Sequence, residues 1–183
     1  MTAMSDEYIM KNIKDGRLEE LSVLFERYHL RIYNFFFRLT FNMEISQDLT
    51  QNLFYRIIKY RNSYKEDYTV KSWIFQIARN LHADYCNNEK RTGELILKAE
   101  NYPADAEEEN NTYTEEDYQR LDRALEALPQ QQREMIVLSR YQGLKYEEIS
   151  EIMNQSVPAI KVAIHRAIKH LRGIYFKECS HEM

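Results

Sequence analysis

Apolar positions recur along the chain at three- and four-residue intervals, the signature of helices with one buried face. Leu18, Leu21, Leu24, Phe25, Tyr28, Ile32, Phe35, Phe36 and Leu39 give a broad apolar stripe and predict a long amphipathic helix. A second helix is expected to start near Ile45, with Ser46 in a capping role, and to run through Leu49, Leu53, Phe54, Ile57 and Ile58 as far as Arg61-Asn62-Ser63. Tyr64 to Thr69 lacks a clear period and reads as a loop. It leads into a third helix over about residues 70–88, striped by Trp73, Ile77, Leu81 and Tyr85.

Beyond Lys90-Arg91 the pattern weakens, and the Asn-, Pro-, Ala- and Glu-rich run to Thr114 holds too few apolar residues to bury, the composition of a flexible linker. Periodicity returns with Tyr118, Leu121, Leu125 and Leu128. It is interrupted at Pro129 and resumes through Met135, Ile136, Leu138 and Tyr141 to Gly143, a helix stop. Two more helices, Tyr146 to Met153 and Val157 to about Phe176, are separated only by Asn154, Gln155 and Ser156, the outline of a helix-turn-helix. Pro158 falls in the first turn of the second, where its missing N–H costs nothing. The fold class expected is all-α: two small helical domains, residues 8–92 and 117–178, joined by an acidic flexible linker over 93–116.

Composition narrows the function more than the fold. Four glycines and three prolines in 183 residues suit long helices better than turn-dense sandwiches. No apolar run is long enough to cross a bilayer. The first seventeen residues, with Asp6, Glu7, Lys11, Lys14, Asp15 and only short apolar steps, resemble neither a signal nor a transit peptide. A soluble, cytoplasmic protein without membrane insertion is expected. Cys86 and Cys179 have no partner at metal or disulfide spacing, and the five histidines are scattered without an evident Ser, Cys or carboxylate partner. No metal, cofactor or catalytic constellation is expected, so an enzyme is disfavoured.

The net charge of −4 argues against a nucleic-acid partner until its distribution is read. Ala99 to Tyr118 holds Glu100, Asp105, Glu107, Glu108, Glu109, Glu115, Glu116 and Asp117 and no base, so this stretch carries −8 and the remainder +4. On the last helix, steps of about 100° per residue put Ile160, Ile164, Ala167, Leu171 and Ile174 on one arc and Lys161, His165, Lys169 and Arg172 on another. No acid occurs between Glu151 and Glu178. One face is suited to packing and the other to a polyanion, and the helix start at Ser156 favours phosphate as well.

These segments resemble a known family. Leu128-Pro129 with Arg133, then Gly143-Leu144-Lys145-Tyr146-Glu147-Glu148-Ile149 and Ile160-Lys161-Val162-Ala163-Ile164-His165-Arg166-Ala167, are similar to the promoter-reading C-terminal domain of extracytoplasmic-function sigma factors. Asp48-Leu49-Thr50-Gln51-Asn52-Leu53-Phe54 and Trp73-Ile74-Phe75-Gln76-Ile77-Ala78-Arg79-Asn80 resemble the same family's N-terminal domain, in the expected order. The resemblance implies a transcription initiation factor whose partners are RNA polymerase core and promoter DNA. On the polymerase it implies the clamp helices of the largest subunit and the flap of the second-largest. An anti-sigma factor is a further candidate partner.

By the same resemblance, Asp48, Gln51, Asn52, Phe54 and Arg56 would contact the clamp helices; an acid is usual where Asn52 stands, so one charge-assisted contact is missing. Tyr64, Lys65, Tyr68, Lys71, Ser72, Gln76, Arg79, Asn80 and Asp84 would read and melt the minus-ten element, an aromatic and polar surface suited to unstacked bases. Ser156, Ala159, Lys161, Val162, His165, Arg166 and Lys169 would meet the minus-thirty-five element. The family often has Ser and Arg at Val162 and Ala163 and Arg at Ile168, so mainly phosphate contacts are expected there. Two other readings remain: a sigma-like decoy for an anti-sigma factor, and a dimeric helix-turn-helix regulator of a palindromic operator.

Overall fold

Helices form where the apolar period runs, several of them started by a side-chain cap such as Ser5, Asn42 or Thr114. In the computed structural model, which describes residues 4–92 and 114–179, the elements are α1 (Asp6–Lys14), α2 (Leu21–Thr40), α3 (Met43–Tyr60), α4 (Val70–Thr92), α5 (Glu115–Glu126), α6 (Gln130–Ile136), α7 (Tyr146–Met153) and α8 (Val157–Cys179). A π-helical turn, Val137–Tyr141, extends α6. The described residues include no strand, and none of their helices is long and apolar enough to cross a membrane. The expected linker lies outside the described residues up to Tyr113. Its last acids, Glu115 and Glu116, stand instead in the first turn of α5, where Thr114 and Asp117 form a capping box and negative charge suits the helix dipole.

Helices α1 to α4 form the first bundle, around Leu24, Ile32, Phe35, Phe36, Leu53, Ile57, Ile74 and Phe75, all fully buried. The sequence pattern did not single out α1. It is amphipathic over only nine residues, capped by Ser5, and buries Ile9, Met10 and Ile13 completely. The start of α3 also differs from the expectation. Asn42, not Ser46, is the N-cap: its side-chain oxygen accepts from Ile45 N at 3.0 Å, while Ser46 is buried one turn inside and bonds back to the Asn42 carbonyl. Asn42→Ala is expected to cost about 1 kcal/mol, read from the midpoint of a urea transition.

Helices α5 to α8 form the second bundle, with Leu125, Met135, Val137, Leu138, Ile149, Ile160, Ile164 and Ala167 inside. Asn154 turns the chain between α7 and α8 in the left-handed conformation (φ 51°), which Asn tolerates better than most residues. The Ser150 hydroxyl donates to the Gln155 carbonyl and holds that turn. The two bundles are not apart: their buried side chains join in one continuous core, with α2 against α5 and α6, and α4 against α7.

Candidate polymerase and promoter interfaces

Three surfaces carry the residues singled out in the sequence. On α3, Asp48, Gln51 and Asn52 are exposed on one face. Phe54 is not on it: its ring is buried against Phe25, with centroids 4.8 Å apart, and supports the helix from beneath. The aromatic available on this face is Tyr55, 63% exposed and one turn beyond Gln51 and Asn52, which the sequence reading passed over. Its exposure conflicts with its size, and that conflict is visible only once the helix faces are placed. Arg56 is half-buried and pairs with Asp84 of α4 at 3.0 Å.

The second surface is the loop before α4 and the start of that helix. Thr69 caps α4 by accepting from Ser72 N at 3.1 Å, and Lys14 of α1 donates to the Tyr64 carbonyl at 3.1 Å, so both ends of the loop are fixed. Tyr64 differs from the exposed stacking ring that the loop composition predicts. It is 1% exposed, packed edge-on to Trp73, and its hydroxyl donates to the Tyr68 carbonyl, which shapes the loop from inside. Ser72 is also buried, whereas Lys65, Tyr68, Gln76, Asn80 and Asp84 are exposed. Lys65, Tyr68, Ser72, Trp73 and Gln76 line a polar cleft of about 400 Å³ whose other wall is Glu151, Ile152 and Asn154 of the second bundle.

The third surface is α8. Ile160, Ile164 and Ala167 face the core, and Ala159, Lys161, Val162, His165, Arg166 and Lys169 are all exposed on the opposite side. Ser156 caps the helix through Ala159 N at 3.4 Å. The face therefore presents cations and two small or branched apolar groups beside a helix N-terminus, suited to phosphates and thymine methyls. Changing Lys161 and Arg166 together to Ala is expected to weaken binding to duplex DNA and to flatten the dependence of log affinity on log salt by about two. Fluorescence anisotropy over a salt series reads both, and an unchanged slope would remove these residues from the interface.

Polar contacts between the bundles divide by sign. Arg31 donates to the Gln142 carbonyl at 2.7 Å, and Arg38 pairs with Asp122 at 2.9 Å while stacking 3.9 Å from the centre of the Tyr141 ring. Lys71 lies 3.7 Å from Glu148, and Arg79 lies 3.5 Å from Glu134. The expectation that no histidine has a Cys or carboxylate partner is corrected here. His82, 1% exposed, has Nδ1 3.4 Å from Glu134 and Nε2 3.5 Å from the Cys86 sulfur, a meeting that needs residues 52 apart in sequence. Arg133 runs the other way, from α6 to the Leu39 carbonyl at the end of α2, at 2.8 Å.

Burial works against a charged His82, but its bonds to Cys86 and Glu134 outweigh that cost and raise its pKa above the ordinary histidine value. Arg79 on α4 and Arg133 on α6 are the other charges beside this pair. A raised folded pKa adds stability that is complete below the ordinary value of about 6.5 and is lost as pH rises through the raised one. Thermal stability is therefore expected to fall as pH rises above about 6.5, and His82→Gln to flatten that limb of a pH series.

Two stretches of the chain match known families. The family model described as "Sigma-70 region 2" matches residues 24–92, and the one described as "Sigma-70, region 4" matches residues 118–171, together more than half of the chain. The ECF RNA polymerase sigma factor SigM of Bacillus subtilis is 29% identical over 160 residues, spanning 83% of this chain and 93% of that protein. The chain belongs to the extracytoplasmic-function sigma factors. Solved structures agree on the fold of this sigma factor. CnrH, in complex with the cytosolic domain of CnrY, superposes with a TM-score of 0.71 at 19% identity, covering 92% of this chain and 96% of CnrH. RpoE of Bartonella quintana, in complex with the anti-sigma factor NepR, gives a TM-score of 0.69 at 21% identity, covering 85% of this sigma factor and 96% of RpoE.

Proposed function

We propose that this sigma factor joins RNA polymerase core through the exposed face of α3, around Asp48, Gln51, Asn52 and Tyr55, and directs it to promoters through two DNA surfaces. The loop ahead of α4, with Lys65, Tyr68, Lys71, Gln76, Arg79 and Asn80, takes the minus-ten element. The outer face of α8, with Lys161, His165, Arg166 and Lys169, takes the minus-thirty-five element, chiefly through phosphates. The observation that carries the reading is the separation of faces on α8, apolar inward and cationic outward, in a helix-turn-helix that follows a first bundle with its own polar surface. The chain contributes recognition and strand opening and leaves bond-making to the polymerase, in the cytoplasm. An anti-sigma factor is a further partner, by analogy with RpoE of Bartonella quintana, which is seen with NepR.

Run-off transcription with purified core polymerase and a pool of promoter fragments tests the reading. Specific transcripts that depend on the added protein are expected. Core binding without transcripts would support a decoy, and absence of core binding would overturn the assignment of α3.

A further inference from the structure

Where His82 of α4 meets Glu134 of α6, a nucleophile joins them that neither the polymerase nor the DNA surfaces use. Cys86 stands one turn beyond His82 on the same face of α4, with its sulfur 3.5 Å from Nε2, while Nδ1 of the same ring is 3.4 Å from the Glu134 carboxylate. A carboxylate at Nδ1 favours the tautomer that carries its proton there, which leaves the Nε2 lone pair to the thiol. The acid is held in turn, since the Gln130 amide donates to it at 3.3 Å and Arg79 lies 3.5 Å away. His82 and Glu134 are buried, but Cys86 is only half-buried and within reach of a small reagent. A reachable nucleophile, a base behind it and an acid orienting the base form the order of groups that activates a weak nucleophile.

The surrounding charges agree with that role. Arg79, Tyr85 and Glu89 of α4 and Arg133 and Glu134 of α6 are the titratable groups around the sulfur and the ring. Arg133 is near enough to respond to a charge on Cys86, and its buried Nε has no hydrogen-bond partner, so a thiolate would meet a guanidinium with a donor to spare. The Tyr85 hydroxyl, pushed up to about 12 chiefly by burial, stays neutral. We propose that Cys86 is a modification site, a thiol that His82 and Glu134 prepare for exchange with small disulfides, the oxidised form of low-molecular-weight thiols. The Cys86 proton passes to Nε2 of His82, and the sulfur attacks one sulfur of the disulfide. A new S–S bond forms as the old one breaks, and the departing thiolate keeps the bonding pair and takes the proton from Nε2. Cys86 is oxidised, half of the reagent leaves as a reduced thiol, and no further reactant is needed. This chemistry is independent of the polymerase and DNA assignments.

The test uses the full chain with Cys179→Ser, which leaves Cys86 as its only thiol. The probe is 2-hydroxyethyl disulfide, which carries no charge, and intact-mass spectrometry over a pH series reads the rate of mixed-disulfide formation. The reference is the same protein unfolded in urea, where the sulfur is fully accessible but has no base beside it. At about pH 7 the folded protein is expected to react roughly tenfold faster than the unfolded one, and to lose that lead above about pH 9, where a thiol ionises without help. His82→Gln, with its helix content checked by circular dichroism, should react roughly tenfold more slowly than its parent at about pH 7 and match it above about pH 9. A folded protein no faster than its unfolded form at about pH 7 would overturn the proposal, and that comparison needs no variant at the site. A rate changed by one and the same factor at both pH values in His82→Gln would also overturn it, because His82 would then govern access to the sulfur and not its proton.

Discussion

Arg133→Met is expected to destabilise the folded chain by about 3 kcal/mol, because one largely buried guanidinium donates to three backbone carbonyls at once. Its two terminal nitrogens donate to Leu39 O at 2.8 Å, to Leu128 O at 3.2 Å and to Glu126 O, and its plane lies 5.4 Å from the centre of the Phe41 ring. The Glu126 and Leu128 carbonyls belong to the corner between α5 and α6, and Leu39 belongs to the end of α2. One side chain thus closes a turn of the second bundle and ties it to the first. Burial pulls the Arg133 pKa below the ordinary arginine value, with Cys86 and Glu134 opposing that shift, which marks how thoroughly it is removed from water. Methionine keeps most of the unbranched stem, so the loss reports the hydrogen bonds more than the packing. Urea unfolding reads it, and a change below about 1 kcal/mol would mean that water replaces the guanidinium at all three carbonyls.

Phe35→Ala is expected to cost a similar or larger amount, about 3–5 kcal/mol, by a different route. The ring is fully buried in the first bundle and meets Phe36 and Phe75 edge-on, with centroids 5.4 and 5.5 Å away. Alanine leaves a cavity between α2 and α4, and aromatic neighbours held edge-on cannot easily collapse into it. Phe35→Leu should recover more than half of the loss, since volume rather than polarity is at stake. Equal destabilisation by Leu and Ala would show that ring geometry dominates. Together the two substitutions separate the link between bundles from the interior of one.

The helices were legible where the apolar period ran for several turns, as in α2, α3, α4 and the α7–α8 pair, because burial of one face repeats every 3.6 residues whatever the neighbours are. Helix α1 was not, because three buried apolar residues in nine make too short a series to stand out from its charges. Ser46 and Asn42 are both good caps a turn apart, and only the backbone decides between them. The cationic side of α8 followed from angular placement alone. On α3 and in the loop, residue type misled where aromatics were concerned: Phe54 and Tyr64 are inside and Tyr55 is outside, a choice made by the packing of α1, α2 and α4 around them. The closure of one bundle on the other left no local trace, since its contacts join residues 52 to 111 positions apart.

The side chain of Glu134 retains only 5% of its exposure, and this sets how the joint between the bundles answers to salt. Dissolved ions weaken DNA binding steeply, because each phosphate contact must displace condensed counterions, but they barely reach the pair of His82 and Glu134, both shut away from solvent. As ionic strength rises, DNA binding therefore weakens while the contact that joins the bundles at Glu134 keeps its strength. The joint between the bundles is thereby insensitive to concentrated electrolyte, as a passive result of where one acid is buried.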